Sequence, residues 1–255
     1  MIHPSAIIDP AAKVHPSCTI GPYCVIGANV EIGEDCELVS HVVIQGPTKI
    51  GKRNRIFPFS AIGLAPQDIT FKGQTVRLEI GDDNLIRENV TINRGTEKGG
   101  GTTRIGSHCF IMAYAHIGHD CQVGDHVMLI NNATLAGHVV VGEYAVIGAF
   151  SAVHQFATVG VHAYIGGGTI CTQDVLPFAK TVARREAATF GINAIGLARR
   201  GFSKERIEKI QRAYKIFRRK NNTQALEELR KDPSPSEDVK MLIDFMEKSE
   251  RGIIR

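Results

Sequence analysis

Four histidines, His116, His119, His138 and His154, fall close together in a chain of 255 residues, and the same stretch holds Asp120, Asn131, Gly137 and Gln155. Imidazole is the side chain best matched to accepting a proton near neutral pH. A carboxylate beside it, here Asp120, can fix the tautomer of the ring and stabilise the imidazolium that forms. No serine in the stretch reads as a nucleophile, and Cys121 falls on a core position of the repeat described next. The residue types point to direct attack by a substrate hydroxyl or amine, with a histidine as general base.

Histidines scattered along a sequence do chemistry only if the fold gathers them, and here a six-residue period does so. An aliphatic residue recurs at every sixth position from Ile2 to Ile62, again at Ile80, Ile86 and Ile92, and again from Ile105 to Ile165. The place two residues before each is small or β-branched, as at Ala6, Cys18, Val42, Ala115 and Ala133. Such spacing is incompatible with an amphipathic helix, which needs a period of roughly 3.6. It suits short strands lining a narrow core, with glycine at the bends. Five of the six cysteines, Cys18, Cys24, Cys36, Cys109 and Cys121, occupy the small place, where a thiol acts as a compact hydrophobe rather than as a ligand or disulfide partner.

The pattern resembles the hexapeptide-repeat family, in which three hexads make one turn of a left-handed parallel β-helix. Turns stack roughly 4.8 Å apart, the spacing of strands in a sheet. Residues eighteen apart then lie above one another. His119, Gly137 and Gln155 form one column, Asp120, His138 and Phe156 the next, and His119 and His138 become neighbours. The expected architecture is mainly β: a left-handed parallel β-helix over 1–176, followed by an α-helical domain over 177–255.

Composition agrees with a soluble chain: tryptophan is absent and charged residues make up 22%. No opening segment has the form of a signal peptide, and no stretch approaches the roughly 18 apolar residues of a membrane span. The cytoplasm is the expected location. Residues 1–179 carry 11 basic and 15 acidic side chains, whereas 180–255 carry 19 and 11. That basic tail suits an anionic partner, a nucleotide diphosphate or an acidic protein, and no nucleic-acid motif is present.

Two insertions break the period, near 64–79 and near 97–104, the second with glycines at 99, 100 and 101. Loops added to a solenoid tend to carry binding. Between them Arg87, Glu88 and Arg94 decorate regular turns, the first two as a surface ion pair. His108, His126 and His162 fall on outward polar positions with no assigned role. Past Cys171 the spacing predicts three helices. One is capped by Ser203 and carries Ile207, Ile210, Tyr214 and Phe217 inward, one spans 224–231, and one spans 237–247. Together they cover the open end of the stack.

The segments His116-Ile-Gly-His119-Asp120-Cys, Asn131-Asn-Ala-Thr-Leu-Ala-Gly137-His138, Ala152-Val-His154-Gln155-Phe, Arg87-Glu-Asn-Val-Thr-Ile-Asn-Arg94-Gly-Thr and Gly-Leu-Ala-Arg199-Arg200-Gly-Phe-Ser resemble the acyl-[acyl-carrier-protein]:UDP-N-acetylglucosamine O-acyltransferases of lipid A synthesis. The resemblance covers essentially the whole chain. It implies that His119 is the base removing the proton from the sugar 3-hydroxyl, assisted by Asp120, and that the Gly137 amide stabilises the oxyanion. His116 and His138 would hold the sugar and diphosphate, and His154 and Gln155 the nucleotide region. Gln67 and Asp68 would contact substrate, and Asn193, Arg199 and Arg200 would lie near the uridine diphosphate. Tyr164, Gly167 and Gly168 would bound the acyl chain. The implied partners are acyl carrier protein, whose thioester is the co-substrate, and two further copies of the chain in a homotrimer. No cofactor, metal or membrane insertion is implied.

Two positions depart from that family. Thr70 stands where a lysine is common, and Ile195 where some members have glutamate. A 3-amino sugar acceptor would suit the same base. So would the N-acyltransferase of the pathway, whose extra amino-terminal domain is not seen in this chain. A β-helical zinc hydratase is a further alternative, but its three-histidine spacing is not reproduced. The last alternative is a passive scaffold, for which loss of His119 would change nothing.

Overall fold

The computed structural model of the chain describes residues 1–183 and 187–254. Most strands are only two residues long, with the aliphatic residue of each hexad turned inward and its predecessor outward. Strands from successive turns pair in parallel to form three flat faces. Called first, second and third in chain order, they hold His116–Ile117, Gln122–Val123 and Met128–Leu129 respectively. Ile26, Ile44, Ile62, Ile92, Ile117 and Leu135 stand in register on the first face, all essentially buried. Full burial of one such side chain is worth about 1.5–3 kcal/mol, so the repeated aliphatic position is what holds these short strands together. The fold is a left-handed parallel β-helix with a carboxy-terminal helical region.

Partners on the first face are eighteen residues apart from His116 to Thr134 and from Thr134 to Ala152. The separation grows to thirty from Ala61 to Thr91 and to twenty-five from Thr91 to His116, because an insertion leaves the coil in each turn. Both excursions are shorter than the broken period suggests. Arg77–Ile80 already runs in the second face, with Leu78 buried beside Thr48, and Thr102–Ile105 pairs along its whole length with Arg77–Ile80. Leu78 and Thr103 occupy inward positions that the aliphatic count passes over.

The region after residue 176 does not begin as helix. Ala179–Ala183 adds to the third face, parallel to Tyr164–Ile165, and Ala187–Ile192 returns antiparallel to it. The hairpin pairs an edge that Tyr164–Ile165 would otherwise leave open, and its strands need not obey a six-residue period. Helices follow as α1 (Ala194–Arg199), α2 (Lys204–Arg219), α3 (Asn222–Leu229) and α4 (Glu237–Lys248). Ser203 caps α2 by accepting from the Arg206 amide at 3.2 Å. The buried Tyr214 hydroxyl donates to the Pro177 carbonyl at 2.6 Å, fastening the helices to the end of the coil. No helix among the described residues is long and apolar enough to cross a membrane.

Candidate active site

The corner between the first and second faces is where the histidines meet. Asp120, His138 and Phe156 turn it with φ of 63°, 62° and 64°, left-handed values that Asp and His adopt more readily than most residues. The His138 and Phe156 rings stack at 4.4 Å. Immediately before them in sequence, His119 and Gly137 lie one above the other. A Cβ on Gly137 would come within 2.5 Å of His119 Cε1, so only glycine leaves room for that ring.

His119 is fixed through one nitrogen and open at the other. Its Nδ1 is 2.8 Å from Asp120 Oδ2; since an ionised carboxylate only accepts, Nδ1 carries the proton. Nε2 is left with its lone pair and has no partner among the described residues. The Asp120 side chain is 1% exposed and the His119 side chain 16%. A buried carboxylate needs several donors to remain charged, and Asp120 has them. Thr96 supplies its amide to Oδ1 at 2.7 Å and its hydroxyl to Oδ2 at 2.6 Å. The Asp120 amide in turn donates to Thr103 Oγ1 at 2.8 Å. Thr96 and Thr103 were not singled out by the sequence: the Thr96 contact depends on the path of the second insertion, and Thr103 fills the inward place two residues before Ile105, where the aliphatic count passes over a hydroxyl.

A second imidazole approaches the same carboxylate: His138 Nε2 lies 3.6 Å from Asp120 Oδ2. Its ring stands edge-on to that of His119, at 5.1 Å and 90°. Burial holds the His138 pKa below the ordinary imidazole value despite the opposing pull of Asp120. His116, outward on the first face, is hydrogen-bonded through Nδ1 to Thr91 Oγ1 at 2.8 Å. Burial, and secondarily His119, lowers its pKa as well. The Gly137 amide donates to no group among the described residues.

The first insertion reaches this corner. Asp68 is close enough for its carboxylate to feel the charges of both Lys98 and His119, though the Thr70 amide and hydroxyl are what chiefly lower its pKa. Gln67 beside it is exposed. Lys98, from the second insertion, donates to Thr70 Oγ1 at 3.2 Å, so a lysine ammonium is present where the sequence has threonine. His154 and Gln155 are exposed at the corner one turn further on, with His154 Nδ1 3.0 Å from the Gln155 carbonyl. Arg87 and Glu88 form the expected ion pair at 2.9 Å.

The remaining named residues lie elsewhere in the chain. Tyr164, Gly167, Asn193, Arg199 and Arg200 line a cleft of about 970 Å³ between the third face and α1. Gly168 is outside its lining and turns the corner between the third and first faces at φ 70°. Asn193 caps α1, accepting from the Gly196 amide at 3.2 Å. Arg200 Nη1 is buried without an acceptor. His162, expected on an outward polar position, is half-buried within a stack of Tyr144, His162 and Phe178. Burial, followed by the charges of Arg200 and Arg206, pushes its pKa down to about 4.

Donor atoms of His119, Asp120 and His138 lie within 4.8 Å of one another, a spacing that a metal ion can bridge. Both Asp120 oxygens and His119 Nδ1 are already engaged in hydrogen bonds, an arrangement that orients the His119 ring. All six cysteines are free and buried. Desolvation pushes Cys121, beside Asp120, up to about 12, which leaves it a thiol and no nucleophile.

Fold and site together define a hexapeptide-repeat acyltransferase. Residues 102–137 match the bacterial transferase hexapeptide family, 2–96 the GMPPB C-terminal domain, and 174–254 domain 2 of UDP N-acetylglucosamine O-acyltransferase. Acyl-[acyl-carrier-protein]–UDP-N-acetylglucosamine O-acyltransferases from Halorhodospira halophila and Syntrophobacter fumaroxidans are 48% and 43% identical to it, in each case over 100% of this chain and 99% of the relative. The solved structure of LpxA from Acinetobacter baumannii is 42% identical, covers 100% of this chain and 99% of its own, and superposes with a TM-score of 0.96. The chain belongs to the acyl-[acyl-carrier-protein]–UDP-N-acetylglucosamine O-acyltransferase family.

Proposed function

We propose that this chain transfers a 3-hydroxyacyl group from the thioester of an acyl carrier protein to the 3-hydroxyl of UDP-N-acetylglucosamine, the first step of lipid A biosynthesis. The observation that carries the mechanism is the His119 imidazole, tied through Nδ1 to buried Asp120 and unpartnered at Nε2. Nε2 takes the proton of the sugar hydroxyl as its oxygen bonds to the thioester carbon, and the carbonyl electron pair moves onto oxygen. The Gly137 amide, which donates to no described group, is the donor assigned to that oxyanion. Collapse breaks the carbon–sulfur bond, and the leaving thiolate takes the proton back from His119, giving an ester and a free carrier thiol. We assign the reaction to the cytoplasm.

The active assembly is a homotrimer. His116, His119 and His138 lie on the first face and its corner with the second, whereas Arg199, Arg200 and Tyr164 line the cleft on the third face, so one chain separates residues that a single substrate must span. A second copy can supply the missing half. Tyr23, Phe59, Tyr114 and Phe150, exposed by 60–71%, form a row along the corner between the third and first faces, an apolar edge of the kind that marks an interface. The second face instead carries Lys13, Glu31, Glu79 and Arg104 in ion pairs and suits solvent. Packing the first face of one copy against the third face of the next closes a threefold ring about the aromatic edge.

Incubating purified protein with UDP-N-acetylglucosamine and 3-hydroxyacyl carrier protein, and following ester formation by mass spectrometry, tests the assignment. General-base catalysis is worth about 10²–10⁴ in rate, so His119→Ala should lose that much turnover while remaining trimeric. Full activity in the variant, or acylation only of a 3-amino analogue, would overturn it.

A further inference from the structure

We propose that Thr96 is a positioning residue that decides which of two imidazoles Asp120 serves. The inference rests on His119 being the base. Asp120 Oδ2 is shared territory, with His119 Nδ1 at 2.8 Å and His138 Nε2 at 3.6 Å. A carboxylate turned slightly towards His138 would hold the wrong ring and release the right one.

Thr96 prevents that turn with two bonds of different kinds. Its amide donates to Oδ1 and its hydroxyl to Oδ2, so the carboxylate is gripped at both oxygens and its rotation breaks both contacts. The direction of the hydroxyl is itself set. Thr96 Oγ1 accepts from the Gly99 amide at 3.2 Å, so its single proton is left for Asp120. This grip depends on the second insertion folding tightly onto the corner. A Cβ on Gly99 would lie 2.1 Å from Asp120 Cγ, and only glycine lets the loop come this close. The insertion therefore acts on the reacting group from behind. It holds Asp120, Asp120 keeps the proton on His119 Nδ1, and the lone pair is thereby kept on Nε2, where the substrate proton arrives.

Full-length protein labelled with 15N-histidine, as wild type, Thr96→Val, Thr96→Ser and Gly99→Ala, gives the test. Wild type should show His119 as the Nδ1–H tautomer. Thr96→Val should show mixed tautomers at His119 with a new protonated Nε2 signal from His138. Turnover should fall about tenfold to a hundredfold, the scale of one charge-assisted hydrogen bond, with the KM for nucleotide sugar unchanged. Thr96→Ser should retain the wild-type tautomer and rate. Gly99→Ala, which displaces the carboxylate without touching the hydroxyl, should reproduce the valine spectrum. Wild-type kcat in Thr96→Val, or equal losses in the valine and serine variants, would overturn the role. His119→Ala in the same assay separates the two readings: if it is inactive while Thr96→Val is normal, only the role of Thr96 fails, whereas an active His119→Ala removes the base itself.

Discussion

The His119 imidazole rests on Gly137, one turn further along the helix, so closely that a Cβ added there would lie 2.5 Å from Cε1 and 2.7 Å from Nε2. Backbone and ring each limit where the other can be. Gly137→Ala keeps the backbone amide proposed to meet the oxyanion but forces the imidazole aside. Displacing a reacting group by about 1 Å can cost roughly a hundredfold in rate. The expected result is a fall in kcat of that order with trimer and thermal midpoint nearly unchanged, because the site is at the surface of the coil. Wild-type kcat in the alanine variant would show that the ring is not held where the structure has it.

The column that joins these two residues was legible in the sequence because the hexad is strict between Ile105 and Ile165. Once each inward aliphatic residue is fixed, the three-hexad turn implied by the resemblance gives a spacing of eighteen, and with it the neighbours of His119. What lies outside the period was not legible. Thr96 reaches Asp120 only because the second insertion folds back with a particular length, and no local propensity records that. The hairpin of Ala179–Ala183 and Ala187–Ile192 forms to satisfy the edge left by Tyr164–Ile165, a need of the stack that the hexad count does not record. His162 reads as an exposed polar position until α1 and α2 bring Arg200 and Phe202 against it.

That burial of His162 has a consequence for stability. In the unfolded chain its pKa is near the ordinary 6.5 of imidazole, and in the fold it is pushed down to about 4, by desolvation first and then by Arg200 and Arg206, with Asp238 opposing. Between these values the unfolded chain binds the extra proton, so folding becomes less favourable as pH falls. The contribution is fully present above about 6.5 and is lost progressively on the way down to 4. His162→Phe keeps a ring between Tyr144 and Phe178 and removes the titration. Urea unfolding at pH 7 and pH 4.5 should show a smaller drop in midpoint for the variant than for wild type. An identical drop in both would assign the acid sensitivity to other groups.

The contact between Lys98 and Thr70 suggests that a positive charge has moved from one loop to the other. The resemblance places a lysine at position 70, and here Lys98 brings its ammonium to Thr70 Oγ1 from the second insertion. Lys98→Gln alone should raise the KM for nucleotide sugar about fivefold, the scale of one exposed charge near 1 kcal/mol. The double variant Thr70→Lys/Lys98→Gln should bring it back. If the double variant stays as poor as the single one, position alone and not charge is what Lys98 supplies.

Arg200 has the clearest unmet need in the third-face cleft. Its Nη1 is buried without an acceptor, its guanidinium carbon sits 5.4 Å from the centre of the Tyr144 ring, and burial lowers its pKa. Arg199 beside it is exposed and lines the same cleft. A planar guanidinium with an idle donor is suited to a phosphate, which accepts paired hydrogen bonds. Arg200→Lys keeps the charge but loses the fork and the stacking, and Arg199→Ala removes a charge already in water. Saturation curves in UDP-N-acetylglucosamine should show a KM raised at least tenfold in Arg200→Lys, more than in Arg199→Ala, with smaller changes in kcat. Because the cleft faces a neighbouring copy in the proposed ring, mixing Arg200→Lys chains with His119→Ala chains should recover part of the activity. Sites pairing an intact His119 from one parent with an intact Arg200 from the other would form only in mixed trimers, and no recovery on mixing would place both residues in the same chain's site.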